Sequence, residues 1–137
     1  MADKITLEDF KTEVEAVAAL KDCDPKMTTE KARKYIRERL PKESYYQDKI
    51  IKHIRELFPS AFVWKAAAGA YSRQGIPDVC AVINGRYYSF EVKRPLIGVL
   101  SKIQERTIEQ IKQAGGRAFV VTYPAEVTEL LREEIDA

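Results

Sequence analysis

The apolar positions follow two rhythms. Up to about Phe58 they recur every three or four residues, the period of a helix with one buried face. In LEDFKTEVEAVAALK the stripe is Phe10, Val14, Val17 and Leu20; in TEKARKYIRERL it is Ala32, Tyr35, Ile36 and Leu40. A third helix, about Lys42 to Phe58, carries Tyr46, Ile50, Ile54 and Leu57. Asp22 to Met27, with its proline, breaks the first helix, Thr28 or Thr29 can cap the second, and Pro41 and Pro59 close the second and third. Beyond Pro59 the rhythm shortens. AFVWKAAA, Ala61 to Ala68, reads as a strand, followed by the loop GAYSRQG. PDVCAVI and RYYSFEVKR then flank Asn84-Gly85, the strongest short hairpin signal, because both residue types tolerate the positive φ of a type I′ turn. Helical spacing returns in SKIQERTIEQIKQAGG, ended by Gly115-Gly116. Arg117 to Tyr123 is a strand, and Pro124 fits the first position of a last helix, PAEVTELLREEI.

From Lys42 on, the order is therefore α-β-β-β-α-β-α. A hairpin-containing meander followed by a β-α-β crossover predicts an α/β (α+β) fold with a central mixed four-stranded sheet flanked by helices. Residues 42–137 form this core; residues 1–41 form an N-terminal helical extension. Its two helices have narrow apolar stripes and no strand partner, so they pack on the core, on a second subunit or on a ligand.

With Asn84-Gly85 as a two-residue loop, Ile83 pairs with Arg86, and counting outward Asp78 pairs with Glu91. Opposed residues share a sheet face, and Lys93, two past Glu91, points the same way. One face thus gathers Asp78, Glu91 and Lys93; the other, with Val79, Ala81 and Ile83 against Tyr88, Phe90 and Val92, is a core face. Opposed carboxylates destabilise a strand pair unless a cation bridges them, one keeps a proton, or the lysine neutralises one. A solvated strand end that screens the charges is the bland alternative.

Composition narrows the chemistry. The 137 residues suffice for one domain with a core, and 45% hydrophobic with 32% charged residues describes an ordinary soluble protein. Net charge is only +2, so any nucleic-acid footprint is a local patch. The polar, acidic start MADKITLEDF does not read as a secretory leader, and no apolar run approaches spanning length. Cys23 and Cys80 form no framework or CxxC pair, so a reduced, cytoplasmic setting is the expectation. A single histidine, His53, rules out histidine-rich zinc sites, and no Gly-rich phosphate loop points to a nucleotide cofactor.

Oxygen-only ligands favour Mg²⁺ or Mn²⁺ over zinc. Asp78 and Glu91 supply the minimum, and the Val92 carbonyl is a further oxygen if the strand edge is free there. Such an ion polarises a phosphoryl oxygen, and Lys93 orients the attacking water or stabilises charge on the phosphorus oxygens. Gln104 is N3 of a Ser101-x-x-Gln104 capping box, or a site residue on the stripe shared with Leu100, Ile108, Ile111 and Gly115. Glu43 complements a helix N-terminus, or is a third carboxylate. Basic residues come in small groups: Lys65, Arg73, Arg94, Lys102 and the arginines of the second helix. Lys65, in an apolar strand, and Arg73, just before Asp78, are candidate phosphate contacts; Tyr71 either stacks on a base or covers the core.

GIPD, Gly75 to Asp78, followed by EVK, Glu91 to Lys93, resembles the PD-(D/E)XK nuclease superfamily. More narrowly the chain is similar to the VRR-NUC (virus-type replication-repair nuclease) family over about Lys42 to Pro124. The supporting features are Glu43 with Gln47, Trp64-Lys65 with Gly69, R-x-G-x-P-D ending at Asp78, E-V-K, and L-S-x-x-Q ending at Gln104. The resemblance implies a Mg²⁺- or Mn²⁺-dependent DNA endonuclease. In it Asp78, Glu91 and the Val92 carbonyl are metal ligands, Lys93 is the catalytic lysine, Gln104 is an active-site residue and Glu43 a helix-borne acid. It also implies a homodimer acting on branched DNA, a Holliday junction or flap, in replication, repair or recombination, with a phage or prophage source by analogy. Lys65, Arg73, Tyr71, Arg94 and Lys102 are the expected DNA contacts. Two other classes compete: a non-catalytic DNA-binding or assembly module on the same fold, and a regulator that grips a partner with the first two helices.

Overall fold

The computed structural model describes residues 5–67 and 73–137. The chain forms two compact units. One comprises Met1–Lys42 with Arg94–Gly98, the other Glu43–Lys93 with Val99–Ala137.

The first unit is built on two helices. A short 3₁₀ turn, Leu7–Asp9, precedes α1, Glu13–Cys23, whose N-cap Thr12 accepts from the Glu15 N–H. That cap places Phe10 outside the helix and turns Val14 to solvent, 77% exposed. The buried stripe is instead Ala16, Val17 and Leu20, a correction to the expected one. Helix α2, Thr29–Arg39, is capped by Thr28 and buries Ala32 and Ile36. These residues, with Leu7 and Leu40, form one apolar cluster, against which Phe10, Tyr35, Leu96 and Ile97 also pack.

The second unit carries the sheet. Helix α3 spans Glu43–Leu57 and buries Tyr46, Ile50 and Ile54. Strands β1 (Phe62–Lys65), β2 (Val79–Ile83), β3 (Arg86–Val92) and β4 (Arg117–Val121) lie in the order β1-β2-β3-β4. The first three pair antiparallel as a meander; β4 joins β3 in parallel after α4, Lys102–Gln113. The sheet is thus mixed, four-stranded and flanked by helices. Strand β1 is shorter than expected, and Ala68 lies outside the described residues. The last helix is two pieces, α5 (Pro124–Leu130) and α6 (Arg132–Ile135), separated at the buried Leu131.

One sheet face, with Val79, Ala81, Ile83, Tyr88, Phe90 and Val92, packs with Tyr46, Ile50 and Ile54 of α3 and Val127 of α5. The other face is covered too: Cys80, Ser89 and Glu91 are all buried. Gly75, at φ +82°, shows how close α4 comes, because a Cβ there would lie 2.5 Å from Ile103 Cγ2 and 2.7 Å from Thr107 Oγ1. Among the described residues no helix is long and apolar enough to cross a membrane.

Candidate metal centre and active site

The hairpin register brings the site together. Ile83 pairs with Arg86 and Val79 with Phe90, so one step further Asp78 faces Glu91. Asn84 (φ 51°) and Gly85 (φ 80°) supply the two positive φ values of the turn. Hydrogen-bonded and non-hydrogen-bonded pairs alternate outward from a two-residue turn. Asp78 and Glu91 fall at a non-hydrogen-bonded pair, the kind that brings side chains closer. Beyond Val79 the ladder gives way to a side-chain bond: the Val92 N–H donates to Asp78 Oδ2 at 2.9 Å and orients that carboxylate.

Glu43, the first residue of α3, completes the group. One carboxylate oxygen from each of Glu43, Asp78 and Glu91 lies within 4.8 Å of the others. Lys93 Nζ is 3.6 Å from Glu91 Oε1, and its side chain is only 16% exposed. Gln104 makes the cap and also reaches Glu91. Its Oε1 accepts from the Ser101 N–H at 2.9 Å, while Ser101 Oγ accepts from the Gln104 N–H, a complete capping box. Its Nε2 donates to Glu91 Oε1 at 2.8 Å. The cap fixes which end of the amide faces the carboxylate.

The electrostatics answer the question the opposed carboxylates raise. Glu91 is fully buried. Desolvation first, then the neighbouring charge of Asp78 and its capacity to accept a proton, push Glu91 up to about 8; Lys93 pulls it down and Glu43 raises it. Without a cation, then, the buried glutamate keeps a proton at neutral pH. Its Oε1 is held by Gln104 and Lys93, whereas its buried Oε2 has no hydrogen-bond partner. An orphaned buried oxygen beside two more carboxylates is a donor set that fits a hard divalent cation.

Below this group the same face is polar and closed. Tyr87 donates to Cys80 Sγ, and Cys80 Sγ to the Pro77 carbonyl, each at 3.6 Å. Burial pushes the Cys80 thiol up and Tyr87 up to about 12, so both stay neutral. Cys80 is thus the small buried residue its strand position implies. His53 meets Thr128 at 2.6 Å, a part-buried contact between α3 and α5.

The expected DNA contacts are more scattered. Lys65 pairs with Asp48 at 3.1 Å, a partner that nothing in the local pattern announces. The exposed Arg73 donates to Gln110 Oε1 on α4 at 2.8 Å, and Lys102 is exposed in the first turn of α4. Arg94 is committed elsewhere: it donates to the Pro41, Leu40 and Arg37 carbonyls at the end of α2. Tyr71 and Gly69 lie outside the described residues.

No family model and no curated protein matches the sequence. Among solved structures the chain is similar to one described as a VRR_NUC domain, at TM-score 0.54 and 24% identity, over 66% of this chain and 94% of that one. The chain has that fold, as its motifs imply.

Proposed function

We propose that the protein is a metal-dependent DNA endonuclease. The observation that carries this reading is the convergence of Glu43, Asp78 and Glu91 within 4.8 Å of one another, with the Lys93 ammonium 3.6 Å from Glu91. Fold likeness to a VRR_NUC domain supports the same reading. Asp78, Glu91, the Val92 carbonyl and Glu43 hold the ion, Mg²⁺ or Mn²⁺. When bound, it polarises a phosphoryl oxygen and lowers the pKa of a water. Gln104 holds Glu91 in place, and Glu91 would ligate the ion as the carboxylate, its proton released to solvent. Lys93, a compact ammonium rather than a planar guanidinium, orients the attacking water or stabilises charge on the phosphorus oxygens. Residues 42–137 form the nuclease core. Branched DNA as substrate, a homodimer and a place in replication or repair belong to the same proposal by analogy.

The test is a panel of labelled single-strand, duplex, flap and four-way DNA incubated with Mg²⁺ and with Mn²⁺. Cleavage is expected with either ion, abolished by EDTA, and reduced about 10²-fold or more by Asp78→Ala, Glu91→Ala or Lys93→Ala with the fold retained. Cleavage that persists in EDTA, or tight DNA binding with no cleavage under any divalent ion, overturns it.

A further inference from the structure

We propose that Arg94 is a positioning residue for the candidate metal centre: its guanidinium ties the backbone just before Glu43 to the backbone just after Lys93. The inference rests on the metal-centre reading above.

Three of its N–H groups are spent on backbone oxygens. Nε donates to the Pro41 carbonyl at 2.9 Å, and Nη2 to the Leu40 carbonyl at 2.9 Å and the Arg37 carbonyl at 2.8 Å. These carbonyls stand at the C-terminus of α2, where the last turn has no intrahelical donors left. A rigid fork can bridge three such acceptors; a lysine ammonium, a single point on a flexible stem, cannot reproduce the arrangement.

The place of this contact in the chain gives it its consequence. Glu43 follows Pro41 by two residues, and Lys93 directly precedes Arg94. Two residues reach at most ~7 Å when extended. Glu43 comes from a helix 35 positions before Asp78 and 48 before Glu91, so its approach to them depends on where α3 starts. Arg94 fixes that start relative to the end of β3.

The segment after Arg94 is itself fixed. The Gly98 N–H donates to the Arg94 carbonyl at 3.2 Å, and the Ile97 N–H to the Pro95 carbonyl at 2.7 Å. Between them Leu96 sits at φ 66°, which L side chains avoid unless their surroundings impose it. Leu96 and Ile97 pack on the cluster of Leu20 and Ile36, which supplies that constraint. Arg94 is thus anchored by its side chain on one side and by its succeeding turn on the other.

The experiment measures Mn²⁺ affinity of the full-length protein by calorimetry for wild type, Arg94→Ala, Arg94→Lys, Glu43→Gln and the Glu43→Gln/Arg94→Ala double variant. Thermal melts check each fold, and Arg94→Lys carries the test if Arg94→Ala fails to fold. Salt dependence of metal-free DNA binding is recorded alongside. Both Arg94 variants are expected to weaken Mn²⁺ binding about tenfold or more, the usual effect of losing a partner that orients a ligand. The double variant binds no more weakly than Glu43→Gln alone, and the salt slope does not change. Unchanged Mn²⁺ affinity, or additive losses in the double variant, overturns the proposal. So does full rescue by Arg94→Lys with a salt slope reduced by about one in Arg94→Ala, the signature of a phosphate contact. A wild type that binds no Mn²⁺ overturns the metal-centre reading itself, a result distinct from equal binding by all variants.

Discussion

Glu91 holds one oxygen against Gln104 and Lys93 and leaves the other buried without a partner, and its acidity follows from that burial and from the neighbouring charge of Asp78. In the unfolded chain it ionises near its ordinary value of 4.5; in the fold, burial and Asp78 raise it to about 8. Between those values the native state binds more protons than the unfolded one. The stabilisation is therefore complete below about pH 4.5 and lost as pH rises through 8. Urea denaturation in EDTA should show the midpoint falling from pH 5 to 8.5, with a much flatter profile for Glu91→Gln. An equal slope in that variant would mean another group controls it.

At the scale of elements, the approach of α4 to the loop before β2 is the feature most exposed to test. Gly75 and Gly115 both have positive φ, but a Cβ at Gly115 meets open space, whereas at Gly75 it meets Ile103 and Thr107. Gly115→Ala should cost about 1 kcal/mol, the left-handed strain alone. Gly75→Ala should cost more, by roughly 1–3 kcal/mol of overpacking, and the two are compared by denaturant titration. The elements differ in how legible they were. Asn84-Gly85 specifies both turn type and register, so the Asp78–Glu91 facing and the core face of the hairpin could be counted from it. Helix α1 could not be phased that way. Phe10, Val14, Val17 and Leu20 fit helical spacing, yet the Thr12 cap starts the helix at Glu13 and Ala16 takes the buried place. Alanine carries little hydrophobic signal, and a cap between two apolar residues is easily read through. The capping box of Gln104 was legible in Ser101-x-x-Gln104, but only coordinates could reveal that the same amide also donates to Glu91. The carbonyl partners of Arg94 were hidden for a related reason: they lie 53 to 57 residues away, and no local pattern announces them.

At the scale of the whole molecule, the described residues form two apolar clusters, one around Leu20 and Ile36, the other around Ile54 and Phe90. Ile36→Ala empties part of the first and should destabilise that unit by about 2–5 kcal/mol. Hydrogen exchange should then speed up in α1 and α2 while the amides of β2 and β3 keep their protection. Loss of protection throughout would show a single cooperative unit.

The first unit is also not contiguous in the chain, since it includes Arg94–Gly98. Leu96 and Ile97, which complete its cluster, are made only after the β2–β3 hairpin. During synthesis, which proceeds at about 5–20 residues per second, α1 and α2 emerge several seconds before these two side chains. The amino-terminal helices must wait on the ribosome for a finishing piece that arrives behind the hairpin.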